Sequence, residues 1–260
     1  ALAIKWGRRF STLKTTTPKQ DSATRPKAKN LRRGAVLGRL RELSDHAALA
    51  GMGRCGINTK KAFGVSVPQL RKLAREIGKN HDLARQLWQS GYHEARILAS
   101  MIDDPRLVTE AQIEAWANDF DSWDVCDQCC GNLFDKTSFA YRKAVEWSKR
   151  DQEFVKRASF ALMAWLAFHD KKAKDEELEA FLPVIEAEST DERNYVRKAV
   201  NWALRQIGKR NLELNALAIT AAERISQKDS RAARWIAAEA LRELNSEGAR
   251  RRIASRGKLG

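Results

Sequence analysis

A tryptophan and a carboxylate lie four residues apart near the middle of the chain, in the stretch DSWDVCD at 121–127. Asp121 or Ser122 is a suitable N-cap for a helix. On that helix Trp123 and Asp127 project from the same side, because residues four apart are neighbours on a helical surface. A carboxylate and an indole face both stabilise positive charge, but a carboxylate beside a ring also needs a partner or water. The pair is therefore either half of a site or a local charge pattern at a helix start.

The chain is strongly basic, with a formal net charge of +15 over 260 residues and a sequence pI near 9.9. Residues 1–33 contain ten Lys and Arg against one acid, so +9 of this charge lies there and +6 in the remainder. This balance indicates a polyanionic partner, nucleic acid before membrane. No apolar run is long enough to span a bilayer, and no secretory leader pattern is present.

Three of the four cysteines lie within five residues, at 126, 129 and 130, and the fourth is Cys55. Adjacent positions on one helix point in different directions, so no disulfide framework is indicated. A structural zinc site needs four ligands, and no second Cys or His pair lies at ligand spacing. We therefore predict no metal site and interpret these residues as buried thiols in a reducing compartment.

Helical periodicity begins at Gly34 and continues to about residue 245. Residues 1–33 are predicted to form a solvated basic arm, with an organelle transit peptide as the alternative. Residues 246–260 form a basic C-terminal tail. Besides the central helix, the pattern predicts helices near 35–50, 66–77, 81–90, 92–103, 109–118, 138–149, 151–168, 175–187, 191–209, 211–226 and 229–244. No sustained two-residue alternation is found, so the fold class is all-α.

Turn-forming and helix-capping residues mark several boundaries between these predicted helices. A Gly-rich turn is expected at 51–56, after the first helix. Residue pairs at capping-box spacing are expected to open three of the helices. These pairs are Ser66 with Gln69, Thr109 with Gln112, and Ser189 with Glu192.

A basic residue beside an apolar stripe recurs along the chain, and with the central helix at Asp127 counted the intervals are about 30 to 41 residues. The segments are 94–99, 155–158, 196–199 and 233–236, and Asp127 falls between the first two. Antiparallel helix pairs repeating at this interval are typical of an α-solenoid of HEAT type, whose second helices line a concave groove. We therefore expect a HEAT-like solenoid with a basic groove.

The predicted helix at 191–209 has a polar face beside its apolar stripe. Lys198, Trp202, Arg205 and Lys209 lie on it at i, i+4, i+7 and i+11. A tryptophan within a row of cations suits a phosphate backbone better than a core. Arg157 has the same phase on the helix at 151–168. If the helices stack, this arginine and Trp202 converge with the central pair on one concave surface.

Taken singly, each of these residues has an ordinary alternative. A tryptophan at a helix edge is usually packing, Arg157 alone is most often solvated, and Asp127 alone could act as a cap or pair with a neighbouring cation. Their joint placement is what indicates a site.

Three motifs around these residues resemble the AlkD-type DNA alkylation repair proteins, which are HEAT-like repeat DNA glycosylases. The motifs are SWDVCD at 122–127, VKRA at 155–158 and KAVNWALR at 198–205. The resemblance runs from about residue 63 to 244, and the basic arm has no counterpart in it. In that family two tryptophans and an aspartate surround the lesion and an arginine holds the DNA backbone. The matching residues here are Trp123, Trp202, Asp127 and Arg157.

The resemblance implies that residues 34–245 form a DNA glycosylase domain. Its expected activity is hydrolysis of the N-glycosidic bond of cationic N3- or N7-alkylated purines in duplex DNA, without base flipping or any cofactor. The residues expected to act are catalytic Asp127, Trp123 and Trp202, with Arg157, Lys198, Arg205 and Lys209 binding DNA. We expect a monomer in the cytoplasm, associated with the nucleoid, with organelle targeting by the arm as the alternative. The competing interpretation is a non-catalytic HEAT-like binder of damaged or branched DNA, which would not need Asp127 beside Trp123.

Overall fold

The computed structural model describes residues 32–256, and the regular elements of this part are all helical. The α-helices are α1 (Arg33–Glu42), α2 (His46–Arg54), α3 (Val67–Ile77), α4 (His81–Gln89), α5 (His93–Ile102), α6 (Glu110–Asn118), α7 (Trp123–Asn132), α8 (Ala140–Glu146), α9 (Glu153–His169), α10 (Asp175–Glu179), α11 (Leu182–Ala187), α12 (Asn194–Ile207), α13 (Leu212–Ser226), α14 (Arg231–Leu244) and α15 (Glu247–Arg256). Short 3₁₀ turns occupy Phe134–Lys136, Trp147–Lys149 and Glu188–Thr190. The predicted basic arm lies outside the described residues except for its last two, and none of these helices is both long and apolar enough to cross a bilayer.

The N-terminal part differs from the predicted single helix at 35–50 followed by a Gly-rich turn. Asp45 Oδ1 accepts hydrogen bonds from the amides of Ala47 and Ala48, at 2.9 and 3.2 Å, and so opens a second helix. That helix continues to Arg54 and contains two of the three glycines assigned to the turn. The prediction was wrong because a capping aspartate outweighed the helix-weakening effect of glycine.

The capping box predicted at Ser189 and Glu192 is also wrong. Helix α12 begins two residues later, at Asn194. The Glu192 carboxylate instead accepts from the Ser230 hydroxyl at 2.9 Å and from the Ala232 amide at 3.0 Å. It therefore caps the start of α14, a partner 40 residues away that local spacing could not indicate.

The predicted helix at 175–187 is divided into α10 and α11. Pro183 lies in the first turn of α11. In a continuous helix its ring would clash with the preceding turn, whereas in a first turn its missing amide costs nothing. The basic tail at 246–260 contains a further helix, α15, over the part that the structure describes.

Six helices form one continuous row through the part of the molecule that the structure describes. Helix α3 packs against α5, α5 against α7, α7 against α9, α9 against α12, and α12 against α14. Helices α4, α8 and α13 pack on this row as the other members of the pairs. This arrangement confirms the predicted HEAT-like architecture. It also places α7, α9 and α12, which carry the candidate site residues, side by side.

The segment before α3 is anchored to this row by a buried carboxylate. Glu94 on α5 has no exposed surface and accepts from the amides of Phe63, Gly64 and Val65 at 2.9, 2.7 and 3.2 Å. Three backbone donors satisfy a charge that would otherwise be costly to bury. The chain entering α3 is therefore held beside the helix row.

Candidate functional site

The centre of the site is an ion pair between α7 and α9. Arg157 Nε and Nη2 donate to Asp127 Oδ1 and Oδ2 at 2.9 and 2.7 Å, in a parallel two-bond geometry. The side chains are only 7% and 15% exposed, respectively. Both oxygens of Asp127 accept from a cation, an arrangement that requires the ionised carboxylate. The structure thus confirms that the two residues meet and makes Arg157 the partner of the aspartate, not a solvated cation.

Burial and ion pairing shift the pKa values of Arg157 and Asp127 in opposite directions. Burial alone would lower the pKa of Arg157, but the charge of Asp127 and its hydrogen bonds raise that pKa above the ordinary value. Burial raises the pKa of Asp127, and Arg157 opposes this shift. Arg157 Nη1 also donates to the Tyr195 carbonyl at 2.6 Å, which connects the pair to α12.

Trp123 lies at the start of α7, directly after the N-cap Ser122. Its ring centroid is 5.8 Å from Arg157 Cζ, within cation–π range. Its indole Nε1 donates to the Cys55 carbonyl at 3.0 Å. The ring is therefore fixed by a hydrogen bond at its edge and by the guanidinium, beside the carboxylate as predicted.

Trp202 is connected to the Asp127–Arg157 pair through the indole of Trp165, a residue that was not predicted as part of the site. Trp165 is only partly buried, and its Nε1 donates to the Asp127 carbonyl at 3.1 Å. Trp202 packs edge-on against it, with ring centroids 5.5 Å apart. A Cβ at Gly131 would lie 2.4 Å from Trp165 Cε2, so only glycine leaves room for this ring. The sequence contains a signal for this contact. Gly131 lies four residues after Asp127 and Trp165 lies two turns after Arg157, so a small residue on one helix and a large ring on the other follow the two members of the ion pair.

The cations predicted to bind DNA have different environments. Lys198 is exposed. Arg205 Nη1 and Lys209 Nζ both donate to Glu243 on α14, the lysine at 2.9 Å. Burial raises the pKa of Glu243, but the two cations outweigh it and hold that pKa below the ordinary value. The predicted cationic face thus includes a carboxylate from the next helix of the row, which sequence reasoning missed.

In three of the four repeated segments the basic residue is an arginine that lies over a tryptophan ring. Arg96 lies over Trp88, Arg157 over Trp123 and Arg197 over Trp235, at Cζ-to-centroid distances of 5.3, 5.8 and 5.1 Å. The carboxylates nearest Arg96 are 3.7 and 3.8 Å away, compared with 2.7 Å for Arg157. The repeat therefore places a stacked cation on several helices, and the tight aspartate pair distinguishes α9.

The cysteines of α7 lie in the core behind this surface. Cys126 and Cys130 direct their thiols to carbonyls of α9, at 3.5 and 3.6 Å. Burial raises the pKa of Cys129 and Cys130 well above the ordinary value. Within residues 32–256, no group of three or more His, Cys, Asp and Glu side chains is placed to hold a metal ion.

The chain is similar to a solved structure described as a new family of proteins related to the HEAT-like repeat DNA glycosylases with affinity for branched DNA structures. The TM-score is 0.69 at 18% identity, over 82% of this chain and 95% of that one, so this likeness concerns the fold. The uncharacterized protein Lin0241 of Listeria innocua is 25% identical over 168 residues, 64% of this chain and 73% of the relative. The uncharacterized protein Lmo0209 of Listeria monocytogenes is 24% identical with the same coverage. The model of the DNA alkylation repair enzyme family matches residues 36–244, most of the chain, and the chain belongs to this family.

Proposed function

We propose that this chain is a DNA glycosylase that hydrolyses the N-glycosidic bond of cationic N3- or N7-alkylated purines in duplex DNA. The observation that carries the proposal is the ionised Asp127, held by Arg157 beside Trp123 on the helix row of a DNA alkylation repair family member.

The main contribution that this reaction requires from the protein is electrostatic stabilisation. An alkylated purine already carries positive charge, so the electron pair of the C1′–N bond leaves with it and yields a neutral base without a general acid. The sugar becomes oxocarbenium-like, the species that glycosidase carboxylates also stabilise. Water then adds to C1′ and loses a proton. Asp127 would face the cationic sugar and orient this water.

The ion pair leaves enough hydrogen-bonding capacity for Asp127 to orient the water and for Arg157 to bind a phosphate. Each carboxylate oxygen of Asp127 can accept a second hydrogen bond besides the one from Arg157. The guanidinium uses one N–H on each of its three nitrogens and keeps two for a DNA phosphate. A phosphate bound there would offset the arginine charge and leave the aspartate charge to act on the sugar. DNA binding would in this way strengthen the catalytic group.

The remaining residues would bind and surround the nucleotide. The two indoles, Trp123 and Trp202, would contact the deoxyribose and stabilise cationic character by about 0.5–2 kcal/mol each. Lys198 is exposed and suited to a phosphate contact, whereas Arg205 and Lys209 would have to share their charge with Glu243.

The test is single-turnover release of 3-methyladenine and 7-methylguanine from methylated duplex DNA. Asp127→Asn is expected to slow release by about 100-fold, the size of a lost electrostatic stabiliser. Asp191→Asn is the matched control, because Asp191 accepts a similar two-bond contact from Arg193, at 3.0 and 2.6 Å, away from the indoles. Equal rates for Asp127→Asn and wild type would refute the role of Asp127.

A non-catalytic binder of branched DNA is the second candidate. It is favoured by the similarity to a solved HEAT-like protein described as having affinity for branched DNA. Affinities for a four-way junction and a linear duplex of equal length, measured at one salt concentration, separate the two functions. Tighter junction binding without any base release would assign the chain to the binding class.

A further inference from the structure

The connection between α2 and α3 contacts the candidate site through residues 55–58, here called the 55–58 turn. Trp123 Nε1 donates to the Cys55 carbonyl at 3.0 Å, and the Tyr195 hydroxyl donates to the Gly56 carbonyl at 3.2 Å. These donors belong to α7 and α12, which both pack against α9. The turn therefore bridges the two helices on either side of the one that carries Arg157.

The backbone of this turn is shaped to present carbonyls. At the end of α2, Ile57 N donates to Met52 O at 3.1 Å and Gly56 N to Gly53 O at 2.9 Å, the two bonds of a Schellman motif. Gly56 has a φ of +74°, and a Cβ on it would lie 1.9 Å from the Tyr195 hydroxyl oxygen. Glycine is thus required both by the turn and by the close approach of the tyrosine.

Together the contacts close a ring around the guanidinium. Tyr195 binds the turn through its hydroxyl and accepts from Arg157 Nη1 through its backbone carbonyl, at 2.6 Å. Arg157 lies over Trp123, and Trp123 returns to the turn through its indole N–H. The same guanidinium holds Asp127. Movement of the turn would therefore disturb both the indole and the ion pair.

The turn is also tied down on its outer side. Asn58 Nδ2 donates to Asp121 Oδ2 at 2.8 Å, just before α7, and the Lys60 amide donates to Asn58 Oδ1 at 3.2 Å. Further along, the Lys61 carbonyl accepts from the His93 amide on α5 at 2.8 Å. These bonds give the turn a defined position relative to the helix row.

We propose that the 55–58 turn is a positioning element for the glycosylase reaction and that Tyr195 is a positioning residue. In this role Tyr195 touches neither the base nor the sugar. It locks the turn, which orients the Trp123 indole, and its carbonyl aims the Arg157 guanidinium at Asp127. The inference rests on the proposed function and deepens it.

Tyr195→Phe removes only the hydroxyl that binds Gly56 and leaves the ring and the backbone carbonyl. Tyr141→Phe is the matched control, since it loses one hydroxyl bond, to Asp170 at 3.1 Å, on a different part of the molecule. Two readouts are needed: single-turnover excision of 7-methylguanine over a range of enzyme concentrations, and the rate at which Cys55 reacts with a thiol reagent such as DTNB. Cys55 is exposed and the other three cysteines are buried, so the reagent reports on the turn.

For Tyr195→Phe we expect the maximal excision rate to fall about five-fold, the ratio that corresponds to one hydrogen bond of about 1 kcal/mol, with half-saturating concentration unchanged. Cys55 should react faster than in wild type. Tyr141→Phe should match wild type in both readouts. A general loss of stability would instead affect both tyrosine variants or change DNA binding.

The outcomes separate this inference from the function on which it rests. Base release by wild type, with Tyr195→Phe releasing base at the wild-type rate, overturns the positioning role and leaves the glycosylase intact. An unchanged rate of Cys55 modification in Tyr195→Phe overturns the locking of the turn. If wild type binds DNA but releases no base, the proposed function fails and the inference fails with it.

Discussion

The coupling between Arg157 and Asp127 can be measured directly as a difference in stability. The pair has two bonds at 2.9 and 2.7 Å between side chains that are 7% and 15% exposed. Arg157→Met or Asp127→Asn alone leaves the other residue buried without its counter-ion, at a cost of about 3–5 kcal/mol. The double variant removes both charges, so its cost should be smaller than the sum by at least about 2 kcal/mol.

The assay is urea unfolding of wild type, both single variants and the double variant, followed by circular dichroism. Comparable m values are required, because the cycle is meaningful only if the same surface unfolds in each variant. Arg106 and Asp104 supply the control cycle. Arg106 is 86% exposed, so this pair should show a much smaller coupling although its bonds are equally short.

A coupling between Arg157 and Asp127 no larger than that of the control pair would refute the reasoning. It would mean that the two groups do not depend on each other for burial. Asp127 could then not be regarded as a carboxylate held in place by the arginine, and the proposed link between phosphate binding and catalysis would lose its basis.

Three further changes follow from single contacts. Gly131→Ala should cost about 1–3 kcal/mol and lower the melting temperature and the excision rate, because its Cβ would meet Trp165 at 2.4 Å. Burial alone would lower the pKa of His93, but the hydrogen bond and charge of Asp124 raise it. The free energy of unfolding therefore contains the full contribution of this pair below the unfolded pKa of about 6.5, and it loses that contribution as pH rises through the raised folded pKa. Unfolding measured from about pH 6 to pH 9 should show this loss of stability in wild type. In His93→Gln the loss should be absent. Glu243→Gln should steepen the salt dependence of DNA affinity, by up to about two in the slope of log affinity against log salt concentration, since it removes the carboxylate that Arg205 and Lys209 share.

Each of these three predictions has a control variant or an outcome that would contradict it. Gly38→Ala should not lower the melting temperature, because nothing lies within 4 Å of its added Cβ, and equal melting temperatures for the two alanine variants would contradict the packing of the indole. An unchanged pH profile in His93→Gln would show that another group titrates. Glu239→Gln, which releases Arg242 on the same helix, is the control for Glu243→Gln. Identical salt slopes in the two glutamine variants would mean that the paired cations do not reach DNA.

Much of the fold could be predicted from interactions between residues close together in the chain. Helices α3 to α6 begin and end within two residues of their predicted bounds, because apolar periodicity and capping residues act over one or two turns. The placement of Trp123 and Asp127 on one side of a helix is likewise a property of the helix alone. The repeat spacing of basic residues was sufficient to predict a HEAT-like row.

The roles of charged side chains depended on partners far away in sequence. Arg157 could equally have been solvated until the packing of α7 on α9 brought it to Asp127, 30 residues away. Glu192 was predicted to cap its own helix, but the structure directs it to α14. Glu243, which binds two of the predicted DNA contacts, carries no local signal.

Most of the helices, their repetition and the side on which the candidate residues lie follow from short-range geometry, so they could be predicted before the structure was known. The carboxylate that each cation binds and the contacts that hold the indoles depend instead on the packing of helices far apart in the chain. The bond from Tyr195 to Gly56 joins residues 139 positions apart. Such a contact depends on how the helices of the row pack, and helix packing is set by the combined shape of many side chains rather than by any local pattern.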